Sequence, residues 1–168
     1  MGWYSSLAAM RDVDAVAIEP QRKNAECIRM TCALNNWRHI RVVEVALTDH
    51  SGRRTLYGRS TFMASLLPGF GGYGRYEQPV WGDTLDRIVA GQSKRLLIKM
   101  DVEGAEYEAL QGAMKTLHWN PRPIWIVEIF REGMFPGGKN PVFDQTFEIF
   151  ERLGYKKTQL TDRDYLFE

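Results

Sequence analysis

The sequence predicts an α/β fold built on a mostly parallel sheet, and three observations carry that expectation. Apolar runs of strand length alternate with segments of 3.6-residue periodicity, the order that places helices on the faces of a parallel sheet. Two of the runs, Leu96-Leu97-Ile98-Lys99-Met100 and Ile124-Trp125-Ile126-Val127, are apolar almost without alternation, as strands covered on both faces must be. The 168 residues suffice for one hydrophobic core and contain neither a linker nor an internal repeat, so one domain spanning 1–168 is expected.

In chain order, a short helix is expected over 3–10, and Asp12 to Asp14 turn it into the strand Ala15-Val16-Ala17-Ile18. Pro20 stands where a helix start tolerates a missing N–H, and over 21–34 Ala25, Ile28 and Cys32 share one face until Asn35-Asn36 ends the helix. Residues 40–47 read as one Val-rich strand, and a turn at Ser51-Gly52 leads to a strand over 54–57 placed at a sheet edge. Residues 58–79 interleave glycines with Phe70, Tyr73 and Tyr76 and read as a mobile loop, a candidate lid. The two apolar runs then form the middle of the sheet. Between them, 104–118 reads as a helix whose Ala105, Ala109, Gly112 and Ala113 let it lie close on the strands. After a Gly/Pro-rich loop at 131–141, Phe143, Phe147, Phe150 and Leu153 form the apolar stripe of a last helix, and 155–160 with 165–167 form an antiparallel pair.

Composition excludes several classes of function. With 22 basic and 21 acidic residues spread along the chain, a net charge of +1 leaves no electrostatic footprint for a nucleic acid backbone. Cys27 and Cys32, five apart in a helix, match neither a metal knuckle nor a redox pair and read as small core residues of a reducing compartment. No apolar stretch has the ~20 residues of a membrane helix and no secretory leader pattern is present, so the expected location is the cytoplasm. The glycine-rich stretch is not followed by Lys and then Ser or Thr, which excludes a phosphate-cradling loop of the P-loop kind.

In open α/β sheets ligands bind beyond the carboxyl ends of the strands. Acids stand at four such positions: Glu19 after Ile18, Asp49 shortly after Leu47, Asp101 and Glu103 after Met100, and Glu128 after Val127. A carboxylate at the tip of the second strand of a nucleotide-binding unit can accept both ribose hydroxyls, which singles out Glu19 before Pro20. The block Asp101-Val102-Glu103-Gly104-Ala105-Glu106 holds more acid than helix capping needs; Asp101 and Glu103 could orient a substrate hydroxyl, take its proton, or hold a cation.

Taken together, Ala17-Ile18-Glu19-Pro20 with Asn24 and Asn35, Val45-Ala46-Leu47-Thr48-Asp49, Thr84-Leu85-Asp86, Leu97-Ile98-Lys99-Met100-Asp101-Val102-Glu103-Gly104-Ala105-Glu106 and Val127-Glu128 resemble the FkbM family of methyltransferases over nearly the whole chain. The resemblance implies a Rossmann-like class I methyltransferase fold that uses S-adenosylmethionine, usually to methylate a hydroxyl of a sugar or other natural-product scaffold. It implies that Glu19, with Pro20 beside it, holds the ribose, that the backbone near Ala46 borders the adenine, and that Asp101 lies close to the methyl donor.

Family members carry, ahead of this region, a strand ending in an Asp-x-Gly-x-Asn-x-Gly loop around the methionine part of the cofactor. Only its last glycine has a counterpart, Gly2, followed by Trp3-Tyr4, which places Gly2 and Tyr4 among the expected cofactor contacts. The absent strand would lie between those ending at Glu19 and at Asp101. Its loss predicts either that the neighbours close up and pair, or that another segment or a second copy of the chain fills the slot. Asp101 is the expected group for orienting or deprotonating the acceptor, with Glu103 and Glu128 next and Lys99 outside the pocket; no metal is expected. Three readings remain beside an active enzyme: a remnant that binds no cofactor; a truncation of a working enzyme, in which sequence upstream of Met1 would restore the Asp-x-Gly-x-Asn block and binding with it; and a nicotinamide-dependent enzyme, in which the 101–106 block has no role.

Overall fold

A computed structural model of the chain describes residues 2–60, 63–72 and 76–168. Helix α1 (Trp3–Ala9) leads into strand β1 (Ala15–Ile18), α2 (Arg22–Leu34) follows, and β2 (Ile40–Val43) runs parallel to β1 with Ala15 opposite Ile40 and Ile18 opposite Val43. Asn36, at φ 56°, turns the chain out of α2; its short polar side chain makes the left-handed region cheaper than for most residues.

The middle of the chain builds a second sheet. Strands β3 (Ala46–Leu47), β4 (Gly52–Ser60), β5 (Met63–Ser65) and β6 (Tyr76–Asp83) lie in the order β3-β6-β4-β5, with β3 parallel to β6 and the other pairs antiparallel. Helix α3 (Leu85–Ile88) starts at Thr84, whose side chain accepts the Arg87 N–H. The third sheet holds β7 (Leu97–Met100), β8 (Ile124–Glu128), β9 (Lys157–Gln159) and β10 (Asp164–Phe167) in the order β7-β8-β10-β9, with β7 and β8 parallel and β10 antiparallel to both its neighbours. Helices α4 (Glu106–Gln111), α5 (Met114–Leu117) and α6 (Phe143–Arg152) complete the set.

The core sits against β8. Trp125, Val127, Phe150 and Phe167 are fully buried; Phe150 stacks on Phe167 at 3.8 Å and meets the Trp125 ring edge-on at 5.8 Å. Each such ring contributes about 1.5 to 3 kcal/mol by leaving water. The polar edge of Trp125 is satisfied, since its indole N–H donates to Tyr155 Oη at 3.3 Å and that hydroxyl donates to Leu117 O at 2.9 Å.

Several expectations are corrected. The run 40–47 is two strands, β2 and β3, in different sheets. The strand expected over 54–57 is part of the longer β4; β5 pairs with it only from Tyr57 on, so among the described residues Arg54–Leu56 have β6 as their one strand partner, in line with the edge placement. Within the expected loop 58–79, residues 58–60, 63–65 and 76–79 are strand while 66–72 run through turns and bends; Tyr76 opens β6, Phe70 is buried against Phe130 and Phe135, and Tyr73 lies outside the described residues. The helix over 104–118 is broken at Gly112-Ala113 into α4 and α5. Cys27 is exposed and Cys32 half-buried, so neither is a core residue; Ala25 and Ile28 are what α2 buries.

The largest correction concerns β7, which is an edge strand whose Leu97 is 68% exposed. The neighbours β1 and β7 do not pair. They do lie alongside one slot: Lys94 Nζ reaches Asp14 Oδ2 at 3.4 Å near their starts, and Glu19 and Asp101 line one cavity beyond their ends. In β1 the Ala15 N–H donates to His39 O and the Glu19 N–H to Val43 O, so by alternation the backbone groups of Val16 and Ile18 point away from β2. On the other side Ile124 N–H donates to Leu96 O, so those of Leu97 and Lys99 point away from β8. These four residues are half-buried or exposed, so water reduces the cost of leaving them unpaired. Among the described residues no helix is long and apolar enough to cross a membrane.

Candidate functional site

Beyond the carboxyl ends of β1, β3 and β7 lies a cavity of about 220 Å³. Glu19 enters it from β1, Ala46 from β3, and Asp101 and Glu103 from the turn after β7. Pro20 lines it as well, next to Glu19. The strand-end rule therefore brings together five of the residues singled out in the sequence, from three different sheets.

Glu19 is fixed by its own helix start. Its Oε1 accepts the Gln21 N–H at 2.9 Å, and the Asn24 side chain hydrogen-bonds the carboxylate as well. Burial raises the Glu19 carboxyl above the usual carboxylate range, and these bonds oppose the rise. A carboxylate has about four lone-pair positions, so room remains for the two hydroxyls of a diol. The wall opposite is apolar: Leu56 from β4 and Ala64 from β5 join Ala46 and Leu47, a surface suited to a flat base. Tyr76 closes the outer side, its hydroxyl donating to Gln21 Oε1 at 3.2 Å and also bonding Gln78.

The turn after β7 is the most constrained part of the site. Glu103 has φ 54°, in the left-handed region that a non-glycine residue seldom enters, and Gly104 follows at φ 91°. Desolvation, with the charges of Asp101 and Glu128, pushes the Glu103 carboxyl up to about 7 against the pull of Arg163. Glu106, only 1% exposed, accepts the Gly104 N–H on Oε1 at 3.0 Å. Burial takes its carboxyl up to about 7 too, although the N–H groups of Glu106, Gly104 and Val102 favour the charged form. Three raised carboxyls in one cleft region mark it as a place for proton chemistry.

Glu128 does not line the cavity. It stands behind Asp101, hydrogen-bonded to it, with Arg163 Nε 3.7 Å from its Oε1; burial first, then the charge of Asp101, raises its carboxyl. Lys99 is outside the pocket as expected, its Nζ 2.9 Å from Asp164 Oδ1. Tyr4 lies with its ring 5.7 Å from Lys99 Nζ, and Gly2 packs against Ile28 and Ser5; neither is among the described residues lining the cavity. Asp49 points elsewhere, toward His50 at 2.6 Å and Arg54 at 3.4 Å. Asp86 is structural, its carboxylate accepting from the Lys115 and Thr116 N–H groups and so capping α5. Among the described residues no group of three His, Cys, Asp or Glu side chains could hold a metal ion.

Sequence reasoning missed the wall supplied by Leu56, Ala64 and Leu66, and the buried role of Glu106. The Thr55-Leu56-Tyr57 alternation was the available signal for the first of these. Nothing local marks Ala64 or Leu66, which reach the cavity only because the β4/β5 hairpin folds over it.

In open α/β folds ligands bind beyond the carboxyl ends of parallel strands, and here acids after two such strands face one cleft. The comparisons make the class specific: the family described as methyltransferase FkbM domain matches residues 3–157, and the chain belongs to that family. A solved structure, methyltransferase FkbM from Methylobacillus flagellatus KT, is similar with a TM-score of 0.64 at 18% identity. The similarity covers 98% of this chain and 40% of that one, so the chain spans less than half the length of its structural neighbour. No curated protein matches the chain.

Proposed function

We propose that the cavity between Glu19 and Asp101 binds S-adenosylmethionine and that the chain acts as a methyltransferase on a hydroxyl of a sugar or other natural-product-like small molecule. The observation that carries the reading is the convergence of Glu19, Ala46 and Asp101 on one cavity from three sheets. Family membership supports methyl transfer as the chemistry. The cofactor would supply an electrophilic methyl group.

The chain's own residues do the rest. Glu19, held by Gln21 and Asn24, takes the ribose hydroxyls, and the Ala46, Leu47 and Leu56 surface takes the base. Asp101 orients the acceptor hydroxyl, with Glu103 beside it as a carboxylate whose raised affinity for protons suits proton removal near neutral pH. Glu128 holds Asp101 from behind. The protein's main contribution is positioning the reacting atoms at near-attack distance. The work is placed in the cytoplasm.

Isothermal calorimetry with S-adenosylmethionine tests this. Wild type is expected to release or absorb binding heat, and Glu19→Ala to abolish it; unchanged affinity in the variant removes the assignment of the cofactor site. A second reading, a fold that binds no cofactor, is favoured by β1 and β7 lying unpaired in separate sheets and by Gly2 and Tyr4 not being among the described residues that line the cavity. No heat at millimolar cofactor, with the protein folded by circular dichroism, selects that reading.

A further inference from the structure

The turn that carries Glu103 is held only in part from within, by Gly104 N–H to Glu106 Oε1 at 3.0 Å and Ala105 N–H to Val102 O at 3.4 Å. A glutamate at φ 54° is strained, and such a conformation persists only where its surroundings over-determine it. The surroundings are a single stretch of chain. Ser65, the last residue of β5 and 1% exposed, donates its hydroxyl to Glu103 O at 2.5 Å, and the same Oγ accepts the Leu67 N–H at 3.0 Å. Five residues on, Phe70 packs against Gly104: a methyl group built there would stand 2.5 Å from Phe70 Cε2 and 2.7 Å from its Cδ2.

Phe70 is itself clamped. Its ring meets Phe130 at 5.7 Å and Phe135 at 5.2 Å, both edge-on, and the next residue, Gly71, donates its N–H to Met134 O at 2.8 Å. The 65–71 segment is thus tied on one side to the turn after β7 and on the other to the loop after β8. No helix or sheet pairing needs these ties.

We propose that the Ser65–Phe70 segment is a positioning clamp, which holds Glu103 in its left-handed turn so that the carboxylate stays in the cleft facing Asp101 and Glu128. The clamp rests on the proposed function, in which that carboxylate serves the acceptor hydroxyl. It explains why the buried Ser65 hydroxyl bonds a backbone carbonyl three elements away, and why Gly104 is needed: any side chain would collide with the clamping ring. The groups that face Glu103 are Asp101 on its own turn, Glu128 at the end of β8 and Arg163 just before β10. Releasing the turn would let the carboxylate leave the two acids for water.

The test uses the proton affinity of Glu103, read by carbon-13 NMR of labelled glutamate carboxyls between pH 4 and 9 and assigned with Glu103→Gln. In wild type the midpoint is expected near 7. In Ser65→Ala it is expected to fall by about one unit or more toward the ordinary carboxylate value, while Glu106, held by its own N–H bonds, keeps its midpoint. Phe70→Leu, which keeps an apolar side chain but removes the ring from Gly104, is expected to move Glu103 the same way and serves if Ser65→Ala does not fold. A folded variant of either kind with the wild-type midpoint overturns the clamp, as does a wild-type Glu103 that titrates as an ordinary carboxylate. Calorimetry with S-adenosylmethionine on the same variants separates the two readings, because Glu19 and Ala46 are untouched. Loss of binding in wild type refutes the cofactor site and leaves the titration result standing.

Discussion

Gly112 packs against the backbone just beyond β3, and Gly112→Ala measures that contact. Its φ of −80° would accept any residue, so the constraint is space alone. A methyl group at Gly112 would stand 2.0 Å from Thr48 O, 3.0 Å from Thr48 C and 3.3 Å from Asp49 Cα, all backbone atoms. Normal contact requires roughly 1 Å or more of backbone movement. Thr48 cannot yield easily: it is fully buried, its N–H donates to Asp83 O at 3.0 Å and its hydroxyl to His50 O at 2.8 Å. Overpacking in a core costs about 1 to 3 kcal/mol, and a clash with fixed backbone belongs at the upper end, about 3 kcal/mol. For a chain of this size that lowers Tm by about 6 to 12 °C. Urea unfolding and a thermal melt read the loss. Gly137→Ala, with open space around it and no positive φ, is the control and is expected within about 0.5 kcal/mol of wild type. Because Thr48 follows Ala46 and Leu47 directly, the surviving folded Gly112→Ala protein is also expected to bind adenosine-type ligands more weakly. A Gly112→Ala protein as stable as the control would show that α4 does not press on the β3 end as described.

Burial of Glu106 makes stability depend on pH in a definite direction. Its carboxyl is near 7 in the folded chain and 4.5 when exposed, so the folded state holds its proton more tightly. The resulting stabilisation is complete below pH 4.5 and is lost as pH rises to about 7, at most about 3 kcal/mol by proton linkage. Urea midpoints at pH 5 and pH 8 should therefore differ, and Glu106→Gln should shrink the difference; an identical pH slope in the variant would refute the burial argument. Amide exchange tests the slot: Val16, Ile18, Leu97 and Lys99 should exchange far faster than Ile126 of β8, which is paired on both sides. If a second copy supplies the strand between β1 and β7, those four amides gain protection as protein concentration is raised. Equal protection of all these amides in dilute protein would mean the slot is not open.

What could be read from the sequence was what is local to it. The Ala15 to Ile18 strand, the acid at its tip, the stripe of Phe147 and Phe150 and the closing antiparallel pair each follow from a few neighbouring residues, and each stands where it was expected. The errors share a different cause. Whether the run 40–47 is one strand or two depends on which partner each half finds, and the same run of Val and Leu satisfies either. Apolarity made β7 look central, yet a strand is central only if both neighbours are present, and its composition reports the neighbours it suits and not those it has.

The site shows the same division. Glu19 and Asp101 were visible because a carboxylate after a parallel strand has few other places to point than the crevice. Glu106 was visible as a residue but not as a buried one, since nothing local shows what packs over it; the turn between it and Asp101 is tied to Ser65, thirty-eight positions before Glu103. That long-range tie changes the chemistry of the short motif. The block Asp101-Val102-Glu103-Gly104-Ala105-Glu106 on a free turn would present three ordinary solvated acids. Clamped under the β5 end, it presents Glu103 and Glu106 with carboxyls both raised first by burial, and the charge of Asp101 adds to the rise of each. The acid-rich motif supplies the groups, while the hairpin over it determines which of them can hold a proton near neutral pH; a change at Ser65 or Phe70 should therefore alter the chemistry of a cleft that neither residue needs to enter.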